Sequence, residues 1–78
     1  MELNVYEFKK LFKNKFKSNF NLAARELGIS PAHVYRVIKQ QSKAGMEFLN
    51  HLMLYCNKND IDYKQYINFF TSAVTYNQ

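Results

Sequence analysis

Gly28 constrains the fold of this chain more than any other residue. It stands between two short apolar-patterned segments, residues 20–27 and 31–39. A helix that turns sharply into another must leave its axis through a left-handed backbone conformation, which glycine adopts without steric cost. Four residues earlier, Ala24 is small enough for a following helix to cross it closely. Leu27, Ile29, Val34 and Val37 have the spacing to fill the wedge between the two helices. Ser30 is suited to cap the second helix, and Pro31 to occupy its first position, where a missing N–H costs nothing. Phe20 to Lys39 therefore reads as a helix-turn-helix, with one face of its second helix exposed.

The rest of the chain must build a core around that motif. Its 78 residues predict one domain spanning 1–78. Such a core is thin, and seven Phe and six Tyr offset this by burying a large area each. One cysteine, Cys56, can form neither an internal disulfide nor a zinc site, which fits a reducing, cytoplasmic setting. No apolar run approaches the roughly 18 residues of a membrane span. The opening Met-Glu-Leu-Asn lacks the basic region of a secretion signal, so no membrane partner is expected.

Periodicity predicts an all-α chain of five helices, with no sustained two-residue alternation. The first runs from about Val5 to Lys17, with Asn4 and Glu7 in the form of a capping box. Val5, Phe8, Phe12 and Phe16 make its apolar stripe, with Leu11 at the edge, while Lys9, Lys10, Lys13 and Lys17 gather on one flank. A basic amphipathic helix can lie on a membrane surface, but the motif needs this helix to complete its core. The second helix spans Phe20–Leu27 with Asn19 as cap, and the third spans Pro31–Lys39. A polar loop, Gln40 to Ala44, leads to a fourth over Gly45–Asn57. The broad apolar face of the fourth joins Met46, Leu49, Leu52, Met53 and Cys56, widened by Phe48 and Tyr55. A fifth is expected from Asp62, capped with Gln65, to Val74. It carries Tyr63, Ile67, Phe70 and Val74 on one face and Tyr66, Phe69 and Ala73 on an adjacent strip. That strip reads as a dimer contact, or else Phe69 covers the end of the core.

Charge separates the two halves. Residues 1–43 carry nine Lys and Arg against Glu2, Glu7 and Glu26, a balance of +6. Residues 44–78 carry Lys58 and Lys64 against Glu47, Asp60 and Asp62, a balance of −1. The positive field lies on the half with the helix-turn-helix, which suits a polyanionic partner. Catalytic patterns are missing. His51 and Cys56 are five apart and diverge on a helix, and Glu47 with His51 reads as a surface pair. Residues 57–62 lack the glycine and closing glutamate of a calcium loop. No phosphate loop or nucleophile elbow appears, so no enzyme, cofactor, metal or small-molecule substrate is expected.

Ala24, Gly28, Ile29, Ser30, Val34 and Val37 together resemble the lambda-repressor-like (Cro/repressor) DNA-binding family, over nearly the whole chain. The fourth helix and the link Asn59-Asp60-Ile61-Asp62-Tyr63 extend the resemblance. Asn19, Ala23, Ala24, Leu27, Gly28 and Ile29 also resemble the Fis-type motif. In that family the motif closes the chain, whereas about 39 residues follow it here. The resemblance implies a five-helix DNA-binding domain, and a phage or mobile-element regulator, repressor-like, acting as a homodimer on an inverted-repeat operator. The chain departs from the pattern at Phe20, where relatives carry a phosphate-clamping Gln, and at Pro31, where many carry a long polar residue. The alternative is a fold recruited as a protein-binding or recombination accessory module.

On double-stranded DNA the expected base-reading residues are Ala32, His33, Tyr35, Arg36 and Lys39. Arg36 leads, since its fork matches guanine O6 and N7. Three have a plainer alternative: an Arg36 ion pair with Glu26 or Glu47, partial burial of Tyr35 against the first or fourth helix, simple exposure of His33. Expected phosphate contacts are Lys17, Ser18, Asn19, Asn21, Ser30, Gln40, Gln41, Ser42 and Lys43, with free N–H groups opening the second helix.

Overall fold

Asn4 starts the first helix by accepting a hydrogen bond at Oδ1 from the Glu7 N–H, 3.2 Å. This computed structural model describes residues 1–69. The elements run β1 (Glu2–Leu3), α1 (Val5–Lys15), α2 (Phe20–Leu27), α3 (Pro31–Ile38), α4 (Met46–Lys58), one 3-10 turn (Tyr63–Gln65) and β2 (Ile67–Asn68). Only half of the expected capping box at Asn4 forms. The Glu7 carboxylate pairs with Lys10 instead, and the Asn4 N–H donates to the Tyr66 carbonyl at 2.7 Å.

Three helices end a little short of, or beyond, their predicted limits because the backbone just after them turns left-handed. α1 stops at Lys15, since Lys17 and Ser18 both take that conformation, φ 53° and 57°. α3 stops at Ile38, where Gln40 (φ 58°) lets the Gln41 N–H reach the Arg36 carbonyl at 2.8 Å. α4 runs one residue further to Lys58 and closes the same way, with Asp60 left-handed and the Ile61 N–H on the Cys56 carbonyl at 2.8 Å. The endings of α3 and α4 are Schellman motifs built on residues other than glycine, whereas α1 closes one residue wider, with the Ser18 N–H on the Phe12 carbonyl at 3.1 Å.

The buried side chains form one cluster drawn from all four helices and β2. Phe8 meets Phe48 edge-on at 5.3 Å and Phe16 meets Tyr55 at 5.2 Å, so two rings from α1 and its C-cap fasten it to α4. Phe12 turns to Phe20 at 4.8 Å and joins α1 to the start of α2. The core side of α4 is Phe48, Leu49, Leu52, Tyr55 and Cys56. Met53 is half-buried at its margin and Met46 lies outside it, 56% exposed, contrary to the broader face expected.

The predicted fifth helix is not formed among the described residues. Asp62 Oδ1 accepts from the Lys64 N–H at 3.0 Å, two residues on, and this local bond favours a tight turn over a helical start. One 3-10 turn follows, and then β2 pairs antiparallel with β1, Glu2 opposite Asn68 and Leu3 opposite Ile67. Branched Ile67 suits this extended path. The expected positions Phe70, Ala73 and Val74 lie outside the described residues. The molecule is thus mostly helical, with four helices and a small two-stranded sheet among the described residues.

Candidate nucleic-acid interface

The turn between α2 and α3 holds the geometry its residues require. Gly28 has φ 77°, its N–H donates to the Ala24 carbonyl at 2.7 Å, and the Ile29 N–H shares that carbonyl at 3.0 Å. A Cβ at Gly28 would stand 3.3 Å from Nδ1 of His51, so α4 backs the corner closely. Ser30 Oγ accepts from the His33 N–H at 3.1 Å and starts α3.

On α3, Val34, Val37 and Ile38 are buried, while Ala32, Tyr35, Arg36 and Lys39 are exposed. This is the division that helical projection predicts. Among the described residues Arg36 forms no ion pair with Glu26 or Glu47; the pair that does form there is Lys10–Glu7. Its guanidinium is therefore available to an outside acceptor.

Three of the five expected base readers have partners within the protein. His33 is half-buried, its ring edge-on to buried Phe48 at 5.4 Å, so the imidazole is engaged with the core rather than simply exposed. Tyr35 stays 43% exposed, but its ring packs on Phe20 at 5.3 Å. Its partner is thus α2, not α1 or α4. The Lys39 ammonium lies 5.8 Å from the Tyr35 ring centroid. Phe12, Phe20, Tyr35 and Lys39 make one column from the core to the surface. Sequence reasoning missed this column. Its one visible signal was the four-residue spacing of Tyr35 and Lys39, which puts them on the same helical ridge.

That column also seats the start of α2 beside the exposed side of α3. Contrary to expectation, not every N–H there is free. The Asn19 N–H donates to the Phe16 carbonyl at 2.8 Å, and Asn19 Oδ1 accepts from the Leu22 N–H at 3.0 Å. Among the described residues no acceptor meets the N–H of Phe20 or Asn21. Lys17, Ser18, Asn19, Asn21 and Ser30 are exposed, as are Gln40, Gln41, Ser42 and Lys43. The last four border an open groove of about 600 Å³ against Met1, Glu2 and Leu3.

The expected dimer strip is not presented as one helical face among the described residues. Tyr66 is only 8% exposed and sits in the core, because the chain is extended after it instead of helical. Phe69 remains exposed and edge-on to Tyr63 at 5.8 Å, and Ala73 lies outside the described residues. The membrane-surface reading of α1 loses its apolar face, since Phe8, Leu11, Phe12 and Phe16 are all buried. Among the described residues no helix is long and apolar enough to cross a membrane.

The remaining chemical groups are occupied or inert. Burial, and secondarily Asp62, pushes the Cys56 thiol up to about 11, which leaves it protonated and unreactive at neutral pH. His51 packs on the Gly28 corner, and among the described residues it forms no pair with Glu47. No group of three or more His, Cys, Asp or Glu able to hold a metal ion occurs among the described residues. Comparison with protein-family models, curated proteins and solved structures finds no match to this chain.

Proposed function

We propose that this chain binds double-stranded DNA sequence-specifically through α3, as a small repressor-like transcriptional regulator of the lambda-repressor-like (Cro/repressor) kind. In this reading it is cytoplasmic, belongs to a phage or mobile element and acts as a homodimer on an inverted repeat. The observation that carries this is the exposed side of α3. Arg36 stands unpaired there and Lys39 is exposed beside the Tyr35 ring, while Val34, Val37 and Ile38 anchor the opposite side. Arg36 reads guanine, Ala32 packs on a thymine methyl, and Tyr35, braced by Phe20, holds Lys39 near the backbone. Lys17, Asn21, Gln41 and Lys43 set register without carrying sequence information.

Selection of bound sequences from random DNA at moderate salt tests this reading. The expected product is an inverted repeat with half-sites about 10 base pairs apart. Arg36→Ala should cost about 1–3 kcal/mol and relax preference at one base pair. Equal loss on specific and random DNA would exclude a reading role for Arg36. A second reading, a protein-binding or recombination accessory module, is favoured by Pro31 and by the engagement of His33 with Phe48, which narrow the base-reading set. Association with a protein in the absence of salt-sensitive DNA binding would support it.

A further inference from the structure

The exposed side of α3 has two chemical parts. Arg36 and Lys39 carry its charge. Pro31, Ala32 and Tyr35 are exposed beside them, spaced to share one helical face. Half-buried Phe20 stands behind the Tyr35 ring at 5.3 Å and itself rests on Phe12 at 4.8 Å. The ring is thus backed from the core outward, yet 43% of Tyr35 remains exposed. Resting on the DNA-binding reading above, we propose that Tyr35, seated on Phe20 and flanked by Pro31 and Ala32, reads the C5-methyl group of a pyrimidine, which in ordinary DNA is thymine.

What these side chains lack decides what they select. Pro31 and Ala32 have no side-chain donor or acceptor, and the Tyr35 ring presents them only at its hydroxyl. Most of the major-groove edge is polar: guanine shows N7 and O6, adenine N7 and N6, cytosine its N4 amine. Any of these groups, covered by an apolar side chain, loses water and gains no partner, which opposes binding. The thymine methyl is the one apolar group on that edge, and it gains from being covered. The apolar part of α3 therefore selects by methyl, and the cationic part by guanine at Arg36. Ala32, Tyr35 and Arg36 fall within about 6 Å along the helix axis, or about two base-pair steps. A thymine is expected within about two positions of that guanine.

Phe20 acts through Tyr35, as a positioning residue. Its ring holds the phenol in one place before binding, so less side-chain freedom is lost on the DNA. Lys39 does not block the ring. Its ammonium lies 5.8 Å from the ring centroid, near the outer limit of a cation–π contact, and its flexible stem can carry the charge to a phosphate. One covered methyl group is worth about a three- to fivefold change in affinity.

The test uses the full chain and the site recovered by selection from random DNA, made as duplexes with deoxyuridine replacing one thymine at a time. Fluorescence anisotropy gives the affinity of each duplex. At a position near the Arg36 guanine, deoxyuridine should weaken binding about three- to fivefold, and 5-methylcytosine should bind better than cytosine there by a similar factor. Tyr35→Phe should keep this ratio, because the ring and not the hydroxyl makes the contact. Tyr35→Ala, at an exposed position, should abolish it with far-UV circular dichroism unchanged. Phe20→Ala should lower the ratio too, whereas a merely structural loss weakens both duplexes alike. Phe20→Leu, which keeps apolar packing on Phe12, should do the same in a chain that folds. Equal binding of thymine and deoxyuridine duplexes at every position overturns the proposal and leaves the DNA reading standing. A ratio that survives Tyr35→Ala, or vanishes in Tyr35→Phe, also overturns it. If selection enriches no sequence, the DNA reading falls and this inference falls with it.

Discussion

The two glycines of this chain are expected to respond to substitution in opposite ways. Gly28 sits at φ 77° with His51 against its open side. Gly28→Ala should destabilise by about 1–2 kcal/mol from the left-handed backbone alone, plus the displacement of His51. Gly45 caps α4 with extended backbone, φ −82°, and has nothing within 4 Å of a Cβ. It is also the one α-helix N-cap among the described residues without a side-chain hydrogen bond. Gly45→Ser should stabilise by up to about 1 kcal/mol, through the new cap and the loss of glycine entropy in the unfolded chain. Urea denaturation of both variants checks the pair; a loss at position 45 equal to that at 28 would refute the distinction. The role of Gly28 was legible because one conformation at one position demands one residue type. The Tyr35–Phe20 contact was not, because the distance between two side chains on different helices depends on how the helices cross.

Helices α1 to α3 were legible in outline because each carries a cap residue and a periodic apolar stripe, and α4 through its stripe alone. The candidate α3 face followed from the same periodicity. The broad stripe of α4 was over-read: Met46 fits the spacing yet lies off the core side. The segment after Asp62 failed for a different reason. Tyr63 and Ile67 have helical spacing, but β1 offers a strand partner some sixty residues away in sequence, and local pattern cannot register a partner so distant. Hydrogen exchange separates the two possibilities. The Asn4 amide, bound to the Tyr66 carbonyl, should exchange much more slowly than the amides of Phe20 and Asn21, which meet no acceptor among the described residues. Fast exchange at Asn4 would contradict the β1–β2 pairing.

The molecule as a whole should respond to pH and to salt. Burial raises the ionisation of Cys56 to about 11, with a further push from Asp62. Burial also raises Tyr55, helped by Glu26, and Tyr66, helped by Cys56. A group whose folded pKa lies above its unfolded value stabilises fully below the unfolded value and loses that contribution as pH rises through the folded one. The stability of this chain should therefore be level up to about pH 9, the ordinary thiol value, and fall toward pH 11, by on the order of 2 kcal/mol from Cys56 alone. Urea midpoints between pH 7 and 11 test this, and a flat profile would mean the thiol is not buried. On the proposed DNA-binding reading, affinity should fall steeply with salt, with a log–log slope of about 0.9 per phosphate contacted. Lys43→Ala should reduce that slope and weaken specific and random DNA alike; a selective loss would make Lys43 a base reader.

His51 and Phe48 place α4 directly behind the corner and the first turn of α3. A rod braced so closely transmits orientation with little slack. Where two such rods are joined in a homodimer, the protruding helices sit at a fixed separation and a fixed twist. One base pair added between half-sites rotates the second by roughly 35° about the duplex axis, more than so stiff a frame can follow. On the proposed reading of a homodimer on an inverted repeat, a site lengthened by a single pair should then be gripped by one protomer at a time.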